Sequence, residues 1–200
     1  MNNNDIIIIG GGLGGLTTGA LLAKEGRKVT VLEKNNIVGG GLQNFTRKGI
    51  LFDTGMHMLG GFRPGQTLYR ICQHLGIMQK LKLKRVDSDC MDEIYYASNH
   101  TTYRVAEGKA GFVESFATHF PHQRTQLQRY VDAIYELADE IDLFNLRPTG
   151  DGIPLHSERF MWSADEFIAH YIDDEQLRDV LAYMNPMYGG VSGHTPAYVH

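Results

Sequence analysis

Three glycines near the N-terminus have the spacing used by dinucleotide-binding loops. The segment from Gly10 to Gly15 contains the pattern G-x-G-x-x-G at Gly10, Gly12 and Gly15. In such a loop the first glycine permits a tight turn, the second lets a pyrophosphate approach the backbone, and the third lets a helix pack on a strand. The phosphates would rest on N–H groups at the positive end of the helix, where Leu13 and Gly14 lie. The pattern is weak in a glycine-rich stretch, so its interpretation depends on its flanks.

Those flanks predict a βαβ unit. Ile6-Ile7-Ile8-Ile9 and Val29-Thr30-Val31-Leu32 are short runs typical of parallel strands buried on both faces. Residues 13–25 have helical periodicity, and Gly26 stands where a helix would end. Glu33 follows the second strand, where a carboxylate would accept hydrogen bonds from ribose hydroxyls and repel the 2′-phosphate of NADP. The arrangement predicts an ADP-containing cofactor but does not separate NAD from FAD, and a purely structural strand–helix turn is the alternative.

The residues after Glu33 extend this pattern. Lys34 follows directly, then Val38-Gly39-Gly40-Gly41-Leu42, then Gly49-Ile50-Leu51-Phe52-Asp53-Thr54-Gly55-Met56-His57. Here the sequence resembles the FAD-dependent amine oxidase and phytoene desaturase superfamily, and most closely its branch of phytoene desaturases, carotenoid isomerases and retinol saturases. The resemblance covers essentially all 200 residues. It implies FAD as the cofactor, with NAD as the alternative.

The resemblance also implies where each site residue lies. Glu33, with Lys34 beside it, would hold the adenosine ribose. The passage from pyrophosphate to ribityl chain would be lined by Gly40, Gly41 and Leu42, and the isoalloxazine by Gly55, Met56, His57 and Met58. Many members of the family have Arg where this chain has Gly41, so any contact made by that Arg is missing here. Two adjacent glycines would also suit an ordinary surface turn.

His57 is the titratable residue that this resemblance places beside the flavin. A neutral polyene offers little for an acid or base to act on, so the flavin itself would carry the redox chemistry. We therefore expect His57 to orient its loop by hydrogen bonding rather than to transfer a proton. It is a candidate catalytic residue, and the other catalytic residues are unknown.

The resemblance implies an α/β fold in which a Rossmann-type FAD/NAD(P)-binding βαβ domain carries an inserted, mainly helical α+β substrate domain. We assign residues 1–61 to the N-terminal part of the first domain and residues 62–200 to part of the second. In the family a C-terminal segment returns to complete the FAD site, and this chain reaches His200 without it. The sequence is therefore expected to be truncated, with weakened FAD affinity and no turnover by itself.

Local patterns predict the elements of the second domain. Residues 93–97 and 101–105 would form a β-hairpin, and residues 67–75 and 112–120 would be helical. Pro121 suits a first helical position, and a buried stripe predicts a helix from Leu127 to Ile141. A capping box of Ser163 and Glu166 begins another helix, and Asp173 or Asp174 caps the last. Residues 147–154 should be a loop; its Gly150-Asp151-Gly152 is not the ribityl-binding Gly-Asp pair of FAD enzymes, because no strand precedes it.

Composition and residue spacing limit the partners, metal ions and cell compartments to be expected. The net charge of −4 with interspersed signs gives no concentrated basic face, so nucleic acid is not expected. Cys72 and Cys90 are far apart and fit a reducing compartment. His119 and His122 have no third ligand nearby, so no metal site is expected. The N-terminus has no signal segment, which predicts a cytoplasmic protein; peripheral membrane association stays open because the substrate is lipid-like, and the oligomeric state cannot be read from sequence.

These observations predict a phytoene dehydrogenase-like, FAD-dependent oxidoreductase. It would add or remove hydrogen at carbon–carbon double bonds of a polyene or other isoprenoid lipid, a small hydrophobic substrate. Two alternatives remain: an amine oxidase-like flavoenzyme and a non-catalytic protein that binds a nucleotide or flavin. The direction of the reaction and its electron acceptor or donor are not encoded in these motifs.

Overall fold

The computed structural model describes residues 5–56, 58–148, 150, 152 and 155–200. The chain forms two compact units, the first ending at Lys82 and the second beginning at Leu83. The functional domain boundary between residues 61 and 62 stays a prediction. Among the described residues, no helix is long and apolar enough to cross a membrane.

The first unit begins with the predicted βαβ arrangement. Strand β1 (Ile6–Ile9) leads into helix α1 (Leu13–Lys24) and then strand β2 (Val29–Leu32). The strands are parallel, with Ile6 opposite Val29 and Ile9 opposite Leu32. Helix α1 ends where Gly26 takes φ = 77°, which glycine adopts without strain. The N–H groups of Gly26 and Arg27 then donate to carbonyls of the last turn.

The expectation that β1 is buried on both faces is wrong. Ile7 and Ile9 have 64% and 88% of their surface exposed. Helix α1 covers the opposite face, where Gly19 approaches Ile8 and Val31. Since the sheet has two strands and one helix packs on it, the other face remains open within the described part of the first unit.

A β-hairpin that the sequence analysis did not predict follows. Strands β3 (Asn44–Arg47) and β4 (Ile50–Asp53) are antiparallel, with Phe45 opposite Phe52 and their rings stacked 5.2 Å apart. Lys48 and Gly49 both have positive φ, as the two central residues of a type I′ turn require. Short 3₁₀ turns and a helix complete the unit: Gly40–Leu42, α2 (Thr67–His74) and Met78–Lys80.

The second unit combines the predicted hairpin with five helices described by the structure. Strands β5 (Asp92–Tyr96) and β6 (Thr101–Val105) are antiparallel. The helices are α3 (Gly108–Ala117), α4 (Arg124–Asp139), α5 (Asp142–Asn145), α6 (Ala164–Tyr171) and α7 (Glu175–Leu181). Turns of 3₁₀ helix lie at Pro121–Gln123, Glu158–Met161, Ala182–Tyr188 and Ala197–Val199. The apolar core lies in this unit and includes Val105, Phe116, Leu127, Tyr130, Phe167, Ile172, Leu177 and Leu181.

Helix ends account for the differences from the predicted elements. Helix α3 begins at Gly108 rather than residue 112; its first turn, Gly-Lys-Ala-Gly, has no large apolar residue that would mark it in the sequence. The helix ends at Ala117, ahead of Pro121, which begins a 3₁₀ turn. The helix predicted to reach Ile141 stops at Asp139, because the Asn145 amide bonds the carbonyl oxygens of its last turn. The Ser163–Glu166 capping box is confirmed, and so is Asp174 as the cap of α7.

Candidate nucleotide-binding site

Two glycines shape the loop between β1 and α1. Gly10 has φ = 104°, a conformation that favours glycine. A Cβ atom on Gly15 would lie 2.0 Å from the carbonyl oxygen of Gly10. Helix α1 can therefore begin this close to the end of β1 only with glycine at position 15.

The N-terminal end of α1 is open to a ligand. No side chain in the described part of the chain caps the helix at Gly12, and the first turn of the helix carries no acidic residue. A Cβ atom on Gly12 would lie 3.8 Å from Gly40 Cα. A Cβ atom on Gly14 would meet no described atom within 4 Å. Because N–H groups in a first turn lack acceptors within the helix, this end suits an anion such as a pyrophosphate.

A second glycine-rich segment runs alongside this loop. The Gly39 N–H donates to the Gly11 carbonyl at 2.7 Å, and a parallel bridge pairs Gly39 with Gly12. Gly39 and Gly40 have φ values of 122° and 58°. A Cβ on Gly40 would lie 3.0 Å from Gly12 Cα. The fold thus brings Gly40 against Gly12. Both residues were predicted from the sequence to belong to the cofactor site.

Glu33 connects the end of β2 to the glycine loop. Its Oε1 accepts a hydrogen bond from the Asn35 N–H at 2.9 Å, and its Oε2 accepts one from the Gly11 N–H at 2.8 Å. These backbone hydrogen bonds, that of Asn35 first, lower the pKa of Glu33, and the positive charge of neighbouring Lys34 adds to the effect. Each carboxylate oxygen has two lone pairs, so Glu33 can still accept hydrogen bonds from a ligand.

Gly41, which follows Gly40, lies close to Gly55. A Cβ on Gly55 would lie 2.7 Å from the Gly41 carbonyl oxygen. The Thr54 hydroxyl lies 2.7 Å from the Gln43 carbonyl oxygen and 3.2 Å from that of Gly41. A Cβ on Gly41 would meet no described atom within 4 Å, so no described side chain fills the space where many family members place Arg.

The residues expected near a flavin form no enclosed wall. Leu42, Met56 and Met58 have 42%, 41% and 48% of their surfaces exposed. His57 lies outside the described residues. The glycine loop, Glu33, Gly40, Gly41 and Gly55 are therefore brought together, whereas these apolar residues remain open to solvent.

Comparison with known families agrees with this geometry. Residues 8–75 match the family described as NAD(P)-binding Rossmann-like domain. This part of the chain therefore resembles a Rossmann-like domain. The match begins within β1, includes the glycine loop, α1, β2 and Glu33, and continues through the β3–β4 hairpin to the end of α2.

Comparisons of the whole chain find longer proteins. All-trans-retinol 13,14-reductase of Rattus norvegicus is 24% identical over 98% of this chain and 34% of its own length. Prolycopene isomerase 2 of an Oncidium hybrid cultivar is 28% identical over 78% of this chain and 26% of its own. Putrescine oxidase with bound putrescine superposes with a TM-score of 0.62 at 23% identity, covering 98% of this chain and 40% of that one.

The chain thus spans about a third of the length of the first of these curated relatives. The matches relate it to the N-terminal portion of the amine oxidase and phytoene desaturase superfamily, and that resemblance is confirmed.

Sequence reasoning overlooked two residues in the region of the glycine loop. Gly11 occupies a variable position of the G-x-G-x-x-G pattern, and yet its N–H and carbonyl groups bond Glu33 and Gly39. Thr54 is part of a motif but has no site role predicted from the sequence, and yet its hydroxyl joins β4 to the Gly40–Leu42 turn. Three glycines in succession were the available signal for Gly11, whereas nothing in the sequence pointed to Thr54.

A groove of about 630 Å³ in the second unit does not resemble a site for an apolar ligand. It is lined by Lys109, Asp132, Tyr135, Glu136, Asp139 and Arg159. Lys109 pairs with Asp132 at 2.9 Å, and Arg159 pairs with Glu136 at 2.9 Å. Both of its cations are thus paired with carboxylates, and its remaining carboxylate, Asp139, pairs with Arg147.

A polar chain runs into the core of the second unit. The Tyr130 hydroxyl lies 2.5 Å from Nε2 of His200, and Nδ1 of the same ring lies 3.3 Å from the Tyr188 hydroxyl. Tyr188 in turn donates to Oδ1 of Asn185. Since Tyr188 uses its own hydrogen on Asn185, its oxygen accepts from Nδ1–H of His200, and Nε2 accepts from Tyr130. Burial lowers the pKa of His200, consistent with this neutral tautomer.

Proposed function

We propose that the protein is an FAD-dependent, phytoene dehydrogenase-like oxidoreductase that adds or removes hydrogen at carbon–carbon double bonds of a polyene or other isoprenoid lipid. The observation that carries the proposal is the meeting of the glycine loop, Glu33 and the Gly39–Gly41 segment at one end of the βαβ unit. The similarity to a retinol reductase and a prolycopene isomerase supports the substrate class. NAD is the alternative cofactor.

The residues present fit the ADP half of FAD. The space beside Gly12 and Gly14 would admit a pyrophosphate, and the first-turn N–H groups of α1 would bind it. Glu33, ionised through its lowered pKa, would hold the adenosine ribose and disfavour a 2′-phosphate. Lys34 would lie beside the ribose.

The flavin half would extend towards the Gly41 and Gly55 side of the site. The segments assigned to it are Gly40, Gly41 and Leu42 for the ribityl chain and Gly55, Met56, His57 and Met58 for the isoalloxazine. FAD, when bound, would supply the oxidation or reduction of the double bond. The protein's part is to bind and orient the cofactor and to exclude water from the reacting atoms, and we assign His57 to orienting its loop.

We further propose that residues 62–200 contribute part of an inserted substrate domain holding a small hydrophobic molecule. A cytoplasmic location and peripheral contact with a membrane that delivers the substrate belong to the same proposal. The apolar core of the second unit supports a domain that folds around its own helices.

Cofactor binding is the first test. Purified protein is titrated with FAD, ADP and NAD, and binding is followed by flavin fluorescence and calorimetry. We expect Gly12→Asp, which places a negative charge against the pyrophosphate, to abolish binding, while Gly60→Asp, at a glycine with open space around it, leaves it unchanged. Equal binding by both variants would contradict the site.

Substrate class is the second test. Because no turnover is expected from these 200 residues alone, full-length protein that is loaded with FAD and photoreduced is mixed with polyenes, and the absorption maximum of each polyene is followed. A shift that depends on the protein supports the proposal. Peroxide release with amines would instead indicate an amine oxidase-like enzyme, and reoxidation at a rate independent of substrate would indicate a non-catalytic binding protein.

A further inference from the structure

We propose that Glu33 is a positioning residue that fixes the shape of the glycine loop before any nucleotide binds, through the buried residue Gly11. The inference rests on the proposed function only for the identity of the nucleotide. It adds to ribose binding a role that Glu33 performs in the empty protein.

The contacts of Gly11 carry the inference. Gly11 is buried, and both of its backbone polar groups are bonded: its N–H to Glu33 at 2.8 Å and its carbonyl to the Gly39 N–H at 2.7 Å. A Cβ here would lie 3.1 Å from Glu33 Oε2 and 3.2 Å from Val38 Cγ1. Glycine at this position therefore lets a carboxylate from the end of β2 reach the loop backbone.

The charge of Glu33 makes this contact effective. A hydrogen bond to an ionised acceptor is stronger than one between neutral groups, and the Asn35 N–H holds the other oxygen in place at 2.9 Å. Gly11 precedes Gly12, the N-cap of α1. Fixing the Gly11 peptide therefore fixes the direction in which the first-turn N–H groups point towards a phosphate.

The two roles of Glu33 make different predictions for ligands that lack ribose hydroxyls. If Glu33 acts through the ribose alone, Glu33→Ala weakens ADP binding but leaves 2′,3′-dideoxy-ADP unaffected. If it shapes the loop, Glu33→Ala weakens both ligands. We expect a loss of roughly tenfold or more for each, the size associated with a hydrogen bond to a charged acceptor.

Calorimetric titration of both nucleotides into the full chain tests this. Glu33→Gln retains a carbonyl oxygen that can accept from Gly11 but lacks the negative charge, so it should recover part of the affinity for dideoxy-ADP that Glu33→Ala loses. Glu25→Ala, which removes an exposed carboxylate at the end of α1, is the matched control and should bind both nucleotides as the wild type does.

Amide exchange provides a readout without nucleotide. In the wild type the Gly11 amide should be protected, and Glu33→Ala should raise its exchange at least tenfold while the amides of α4 stay unchanged. Unchanged Gly11 exchange, or a loss of affinity confined to ADP, would overturn the inference. If the wild type binds no nucleotide, the proposed function fails, and Gly11 exchange still decides the inference.

Discussion

A methyl group at position 15 would occupy the space of the Gly10 carbonyl oxygen, 2.0 Å away. Because both groups belong to the backbone of tightly joined elements, the strain cannot be relieved by turning a side chain. We expect Gly15→Ala to destabilise the first unit by about 1–3 kcal/mol, the usual range for overpacking. Urea unfolding followed by circular dichroism measures the loss. Gly60→Ala, at a glycine where a Cβ would meet no described atom within 4 Å, should change stability by less than about 0.5 kcal/mol.

His200 makes the second unit sensitive to acid. Its pKa is lowered in the folded chain, chiefly by burial, and the charge of Asp165 opposes this only in part. As the pH falls below the ordinary histidine value of about 6.5, the unfolded chain gains a proton that the folded chain does not. Stability is therefore complete above that pH and is lost as the pH falls towards the folded pKa. Unfolding free energies measured between pH 8 and pH 5 should show this decline.

Two substitutions separate His200 from the other histidines. His200→Phe removes the titrating ring, so the decline between pH 8 and pH 5 should flatten even if overall stability is lower. His194→Gln, at an exposed position in the same unit, should retain the wild-type slope. Equal slopes for the wild type and His200→Phe would show that another group is responsible.

Among the elements, α6 has the most complete N-terminal cap. The Ser163 hydroxyl accepts from the Glu166 N–H at 3.2 Å, and the Glu166 carboxylate accepts from the Ser163 N–H at 2.8 Å. Ser163→Ala should cost about 1 kcal/mol of unfolding free energy, measured by denaturation of the second unit. Ser88→Ala, in an exposed bend of that unit, should cost nothing measurable.

Elements with a local signal could be predicted from the sequence. The βαβ unit, the capping box at Ser163 and the hairpin around residue 99 each depend on neighbours within a few residues. The β3–β4 hairpin was not predicted because its turn, Lys48-Gly49, is not one of the strongest turn pairs. In addition, all eight strand residues are exposed, so the strands lack the alternation of buried and exposed residues that marks a half-buried strand.

Features of the site that depend on distant residues could be inferred only in part. Spacing and resemblance grouped Glu33 with the glycine loop, but the bond from Glu33 to Gly11 joins residues 22 positions apart. The contact of Gly55 with Gly41 likewise needs β4 to return beside the Gly40–Leu42 turn. Such contacts follow from the folded path of the chain, which local patterns do not specify.

For the whole molecule, the two compact units should unfold in separate transitions. The buried core lies in the second unit, which also contains Trp162, the one tryptophan of the chain. Trp162 fluorescence should therefore report the second unit alone, while circular dichroism shows an additional, earlier transition. ADP at about 100 times its dissociation constant should stabilise the first transition by about 2.7 kcal/mol.

The Trp162 transition is the control for this experiment. ADP should leave the Trp162 transition where it is, and Gly12→Asp should remove the ADP effect on the first transition. A single transition, shifted as a whole by ADP, would show that the units unfold together.

The open face of the β1–β2 sheet has a consequence for colloidal behaviour. Ile7 and Ile9 present β-branched side chains to water on a sheet of two strands, and an exposed apolar patch promotes association because contact with another copy removes it from water. At high concentration this chain should self-associate through that face. Ile9→Lys should reduce light scattering from concentrated samples, whereas Thr30→Lys, which adds the same charge to the same face without removing an isoleucine, should reduce it less.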